Sequence, residues 1–206
     1  MPSDNQIKIG KLATSRTEIK DLVKAWIAVS IAFAIIFNGS SITNSLYGKF
    51  ILASLTVGLG FLLHELGHKF VAQRYGCLAE FRSFDRMLLL AIAMSFFGFV
   101  FAAPGAVMIS GRVNKERNGK ISAAGPVVNL ILALLFLLLV LSPLSNLSGP
   151  LPRYGFMINS WLALFNMIPV WLFDGQKVLK WNKFAYGTIV AIALSFMILQ
   201  HFLFAQ

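Results

Sequence analysis

Apolar and polar positions fall along this chain in long blocks rather than in short alternating periods. Residues 1–24 are polar and basic, with Lys8, Lys11, Arg16, Lys20 and Lys24 set against Asp4, Glu18 and Asp21. Residues 25–37 form a short apolar stretch, whose usable length Lys24 extends by keeping its ammonium group in water. A second apolar block, 50–63, runs directly into His64-Glu65-Leu66-Gly67-His68, then Lys69 and Arg74. Together 46–75 predicts one long helix, since about 20 residues suffice to cross the bilayer core. Further apolar blocks lie at 87–109, 121–141, 156–173 and 184–204. Basic segments separate them: Arg82 and Arg86, then Arg112, Lys115, Arg117 and Lys120, and finally Lys177, Lys180 and Lys183. Trp26, Trp161, Trp171 and Trp181 stand near block ends, where amphipathic rings favour the headgroup level.

Composition sharpens this pattern. Of 206 residues, 57% are apolar and only 13% charged, against about a quarter charged in a soluble domain. Too few charges are present to cover a soluble surface, which excludes a soluble enzyme and a disordered protein. Cys77 is the only cysteine, so no internal disulfide framework is available. The net charge of +10 does not point to nucleic acid, because no segment is long and polar enough to form a nucleic-acid-binding module. Lys and Arg gathered in cytoplasmic loops, beside an anionic leaflet, account for it.

Those charges orient the chain. A basic start places the N-terminus inside, and the Ser- and Asn-rich loop 38–49 then lies outside, with Asn38-Gly39-Ser40 fitting a glycosylation sequon. The next helix runs inward and carries His64 and His68 toward the cytoplasm. Loops 74–86 and 111–120 are both basic and both belong inside, which conflicts with 87–109 crossing fully. A re-entrant hairpin turning near Gly98 or Pro104-Gly105 resolves the conflict. Non-helical backbone at that depth then needs protein or a water-filled cavity beside it. The expectation is an all-α polytopic membrane protein with about five transmembrane helices plus a re-entrant apolar hairpin, or six helices if 87–109 cross. Residues 1–24 are expected as a basic cytoplasmic leader and 25–206 as a single membrane-embedded domain.

Candidate chemistry sits in the second block. His64 and His68 are four residues apart, hence on one face of a helix, where both imidazoles can converge on one Zn²⁺. Glu65 stands beside them as a general base for a metal-bound water. Ionisable residues at membrane depth are costly, which makes the cluster a functional candidate. A third ligand is required, and Asp174 or His201 can supply it. Asp174 is preferred on depth, because it closes an apolar block at the same cytoplasmic level, whereas His201 lies toward the outer face. Two neutral imidazoles and one carboxylate leave the zinc with net positive charge, enough to bring a bound water to a pKa near about 7.

The chain also resembles a known family. His64-Glu65-Leu66-Gly67-His68 in an apolar helix, Ala123-Ala124-Gly125-Pro126 with Asn129, Asn166-Met167-Ile168-Pro169, and Phe173-Asp174-Gly175 occur in the order found in site-2 proteases, intramembrane zinc metalloproteases. The resemblance covers roughly 55–180. It implies that His64, His68 and Asp174 ligate zinc, that Glu65 activates water, and that Asn166 holds the substrate strand or stabilises the oxyanion. It further implies transmembrane proteins as substrates, the lipid bilayer as surroundings, and an extended segment at 99–110 that pairs with unfolded substrate. Between Asn166 and Asp174 the chain carries Val170-Trp171-Leu172 where the family often has prolines, and Gln176 where it often has glycine. Two other functions compete. A non-proteolytic membrane protein keeping the zinc as a scaffold has no use for Glu65, and a transporter would show inverted repeats or paired broken helices, which are not evident. Cys77 reads as a bystander, and Gly125-Pro126 as a helix start and a close-packing point.

Overall fold

The first helix begins well before the apolar pattern does. Ser15 caps it, its Oγ accepting the Glu18 N–H at 3.1 Å, so helix α1 runs Arg16–Ile36. The computed structural model describes residues 6–9, 12–39, 45–100, 103–142, 149–170 and 173–204; Ser40 of the sequon and Trp171 lie outside them. Before α1, strands β1 (Gln6–Ile9) and β2 (Leu12–Ser15) pair antiparallel. Residues 16–24 are thus the opening turns of α1, and the hairpin before them is tied to the helical body of the chain. Gln73 fastens it, accepting from the Ala13 N–H at 3.0 Å and donating to the Ala13 carbonyl at 2.7 Å.

Glu18 explains why these turns are held so firmly. It is fully buried and bonded on every side: it takes the Lys69 ammonium, the Thr14 hydroxyl at 2.7 Å and the Phe81 N–H at 2.9 Å. Lys69 is itself 3% exposed. A buried ion pair is weak evidence of net stability, but removing one partner leaves an uncompensated charge at a cost of about 3–5 kcal/mol. Lys69→Met should therefore lower the unfolding temperature in detergent sharply, and adding Glu18→Gln should recover most of the loss. Equal unfolding temperatures for Lys69→Met and wild type would show that the pair does not hold the domain.

Helices α2 (Leu46–Ala53) and α3 (Leu59–Arg74) are joined by a single wide turn, Ser54–Gly58, into one 29-residue apolar rod. The Trp26 indole reaches the Ser54 carbonyl at 3.1 Å. Gly58 allows this, since a Cβ there would lie 2.7 Å from the Trp26 ring and from Ser30 Oγ. After α3 come strand β3 (Leu78–Ser83), helix α4 (Asp85–Ser95) and strand β4 (Gly105–Ser110), with β4 antiparallel to β3 in the register Phe81 to Val107. Residues 87–109 thus do not form the single helix that a sixth crossing requires. At about 1.5 Å per residue, α4 is long enough for only about half of a hydrocarbon core, and after it the described residues Gly105–Ser110 form a strand. The chain is mostly helical, as expected, with two short strand pairs that the all-α expectation did not include.

Helix α5 (Lys115–Val140) is the central post, packed against α3, α6 (Pro150–Asn166) and α7 (Asp174–Trp181), and α8 (Lys183–Phe204) closes the bundle on α6 and α7. The block expected at 156–173 ends early, at Asn166, because Pro169 has no N–H to continue the helix and disfavours helical backbone at Ile168. Asp174 therefore opens α7 instead of closing a span. Three described helical rods, Leu46–Arg74, Lys115–Val140 and Lys183–Phe204, have the length and apolarity to cross a membrane. Of the five crossings expected, α1 carries charges through its first turns and α6 has 17 residues. Helix contacts are made through alanines: Ala25, Ala32, Ala72, Ala133, Ala163 and Ala193 are wholly buried. Large residues such as Leu135, Leu138, Ile198 and Phe202 point outward. Small residues inside and large ones outside is the packing that a lipid surround favours, since lipid is as apolar as leucine.

Candidate metal centre

One turn of α3 presents His64 and His68 on its buried face, and the fold carries Asp174 to them from 106 residues away along the sequence. His64 Nε2 and His68 Nε2 are 3.0 Å apart, and Asp174 Oδ2 lies 3.3 Å from the first and 3.0 Å from the second. Zinc–nitrogen and zinc–oxygen bonds of about 2.0–2.1 Å in a tetrahedron require ligand atoms about 3.3 Å apart. The three atoms form one face of such a tetrahedron, and the donor set of two imidazoles and a carboxylate suits Zn²⁺. Among the described residues no other group of His, Cys, Asp and Glu comes together this way. His201, the alternative third ligand, is exposed on the last turns of α8 with its ring against Phe202.

The ring nitrogens facing away from the cluster are also committed. His68 Nδ1 lies 2.8 Å from the Ile121 carbonyl and His64 Nδ1 lies 2.6 Å from Asn129 Oδ1. Both partners accept, so both Nδ1 atoms carry the proton and both Nε2 lone pairs face the cluster, the tautomer a metal ligand needs. Asn129 is fully buried, as is Asn159 on α6, which receives one of the Asn129 amide protons at 3.1 Å. Sequence reading gave Asn129 no role beyond its place in a helix motif and passed over Asn159. The available signal was two amides in apolar helices, where a polar group must find a partner.

Glycines set the approach of α5. A Cβ on Gly125 would stand 2.5 Å from His64 Nε2 and 2.6 Å from His68 Cε1, occupying the space of the ligand atoms. Its packing role holds, but α5 starts at Lys115, so Gly125-Pro126 is not a helix start. Gly175 does the same for Asp174. The first turn of α7 folds onto the end of α6 so closely that a Cβ there would meet the Met167 carbonyl at 2.1 Å. Phe173 packs edge-on against Phe165 with ring centres 4.8 Å apart, and Trp181 crosses α5 at Gly119. Asp174 is thereby fixed at a helix N-terminus that favours its charge. Burial alone pushes its carboxyl up, but His68 and His64 beside it outweigh that and hold it well below the usual carboxylate range.

Glu65 is 9% exposed and lies close to the Val107 backbone on β4, in the field of His64, His68 and Asp174. The sheet register explains that contact. Phe81 gives its N–H to Glu18 and not to β4, so Phe81 and Val107 are a non-hydrogen-bonded pair and the Val107 backbone groups face away from β3. The outer edge of β4 therefore borders the site. Asn166 ends α6, and its amide donates to the Leu162 carbonyl of its own helix at 2.9 Å.

A Methanocaldococcus jannaschii protein provisionally named a zinc metalloprotease is 40% identical to this chain over 192 residues, covering 91% of this chain and 96% of that protein. A second protein from the same organism, named a zinc metalloprotease, is 32% identical over 152 residues, covering 73% of this chain and 39% of its own length. No family model and no solved structure matches the chain.

Proposed function

The chain belongs to the zinc metalloprotease family of these relatives, and from that premise we propose that it is an intramembrane endopeptidase of the site-2 protease kind. It hydrolyses peptide bonds in or beside transmembrane segments of membrane proteins. The observation that carries this reading is the position of Glu65: a buried carboxylate next to a two-histidine, one-aspartate donor set, bordered by the outer edge of a strand, within an apolar helix. Family membership implies Zn²⁺ as the cofactor, and His64, His68 and Asp174 are the residues that would hold it. Bound there, zinc supplies Lewis acidity toward a water and a scissile carbonyl.

The chain's own residues do the rest. Glu65 accepts a proton from the attacking water and delivers it to the leaving amine nitrogen. The Ile121 carbonyl and Asn129 keep the two imidazoles oriented through the step. Substrate in extended form adds to the β4 edge, where Val107 and Ile109 offer main-chain groups, because a helical peptide bond is shielded until it unwinds. Asn166, released from the Leu162 carbonyl, serves as a neutral donor to the substrate strand or the oxyanion. Basic residues flank the site elements along the chain, with Arg74 after His68, Arg112, Arg117 and Lys120 before Ile121, and Lys177, Lys180 and Lys183 after Asp174. Positive charge marks the cytoplasmic side, so the active site opens there.

Product ends mapped by mass spectrometry on single-span substrates test this placement. Cuts should fall in the cytoplasmic half of the substrate helix, near residues that unwind easily such as Gly, Pro or Asn. Replacing those residues by Leu should slow cleavage without any change to the enzyme. A cut in the outer half would overturn the orientation.

A further inference from the structure

We propose that Asn159, on a different helix and without contact to the metal ligands, is a positioning residue that fixes the tautomer of His64 and so sets the affinity of the site for zinc. The proposal rests on His64 being a metal ligand, as the proposed function has it.

The chain of bonds has only one possible direction. It starts at two backbone carbonyls, which can only accept. Asn159 Nδ2 donates to the Gly155 carbonyl at 2.9 Å, which leaves Asn159 Oδ1 facing Asn129. Asn129 Nδ2 donates to that oxygen and to the Gly60 carbonyl, each at 3.1 Å. Asn129 Oδ1 is then left for His64 Nδ1 at 2.6 Å, and the imidazole must carry its proton on Nδ1. Turning the Asn129 amide over would set its oxygen against two other oxygens and its NH₂ against His64. His64 would then be driven to the tautomer protonated on Nε2, which cannot ligate. All three side chains in the relay, Asn159, Asn129 and His64, are buried, so no solvent molecule can substitute for a lost partner. Gly60 makes the contact possible, since a Cβ there would lie 2.6 Å from Asn159 Oδ1.

Removing Asn159 leaves the Gly60 carbonyl as the one restraint on the flip. A population of flipped Asn129 then binds no zinc, and apparent affinity falls in proportion to the competent fraction that remains. Outer-shell partners of metal-bound histidines typically control affinity by roughly 10–100-fold, and Asn159 acts one bond further out, so about tenfold is expected.

The test uses the full chain in detergent, with zinc affinity read by competition with a chelator and the His64 tautomer read by ¹⁵N NMR on the metal-free protein. Asn159→Leu should weaken zinc about tenfold and shift His64 toward the Nε2-protonated form. Asn129→Asp added to Asn159→Leu should restore zinc, because a carboxylate presents an oxygen to His64 whichever way it turns. A residue that merely supports the bundle would give neither the tautomer shift nor the rescue. If Asn159→Leu does not fold, Asn159→Ala makes the same comparison. Unchanged affinity in the single variant, or no rescue in the double, overturns the proposal. His64→Ala in parallel separates the two readings: zinc lost there but kept in Asn159→Leu defeats only the relay, whereas zinc kept in His64→Ala defeats the metal site itself.

Discussion

Glu65→Gln should remove cleavage of a single-span substrate while zinc content stays at the wild-type level. Gln keeps the shape and the hydrogen-bonding reach of Glu but cannot take a proton from water, and general-base catalysis is worth roughly 10²–10⁴-fold. Glu65 is not among the three clustered ligand atoms, so the metal has no reason to leave. Gln has the size and shape of Glu, so the β4 edge beside it should stay in place. Cleavage rate by gel or mass spectrometry, paired with zinc per chain by atomic absorption, decides the matter. Undiminished turnover would sink the mechanism.

Asp174→Asn should lower both zinc retention and turnover. The carboxylate is the only anion in the donor set, and a neutral amide replaces a charge that offsets the divalent cation. A direct ligand should matter more than the roughly 10–100-fold that outer-shell changes cost. Gly175 and Phe173 hold the position by packing against α6 whatever side chain occupies it, so the substitution should leave the corner folded. Zinc remaining after dialysis against chelator, compared across wild type, Asp174→Asn and Glu65→Gln, should separate ligand from base: the first variant empties, the second does not. Equal zinc in Asp174→Asn and wild type would remove it from the ligand set.

The clustering of His64 and His68 was legible because helical spacing alone places them together, and because an apolar surround makes such residues conspicuous. Asp174 was legible by depth, although for a reason the structure revises: it opens a short helix after a break at Pro169, and does not close a span. The fold-back of 87–109 could be inferred from two basic flanks that belong on one side of the membrane, but its second half as a strand could not. Gly105–Ser110 is apolar and β-rich, and a short apolar run of that kind reads equally as helix or strand. The start of α1 was missed because charge was weighed and capping was not, though Ser15 and Glu18 carry the signature. Asn129 and Asn159 were opaque for a deeper reason. Their work depends on which oxygen faces which proton across three helices, and nothing in a linear pattern encodes that.

The buried acid near the start of the chain has a consequence for biosynthesis. Glu18 is made long before two of its partners: Lys69 follows it by 51 residues and Phe81 by 63. During that interval α1 holds a carboxylate destined for the protein interior with nothing to neutralise it, and a lone charge in lipid is costly. The opening turns of α1 must therefore wait in water, or wait protonated, until α3 delivers its ammonium. The Phe81 N–H then finds Glu18 as its acceptor, and with β3 docked β4 has a strand to pair with. Docking of the opening turns of α1 is thus tied to the arrival of α3 and β3, the strand on which β4 pairs.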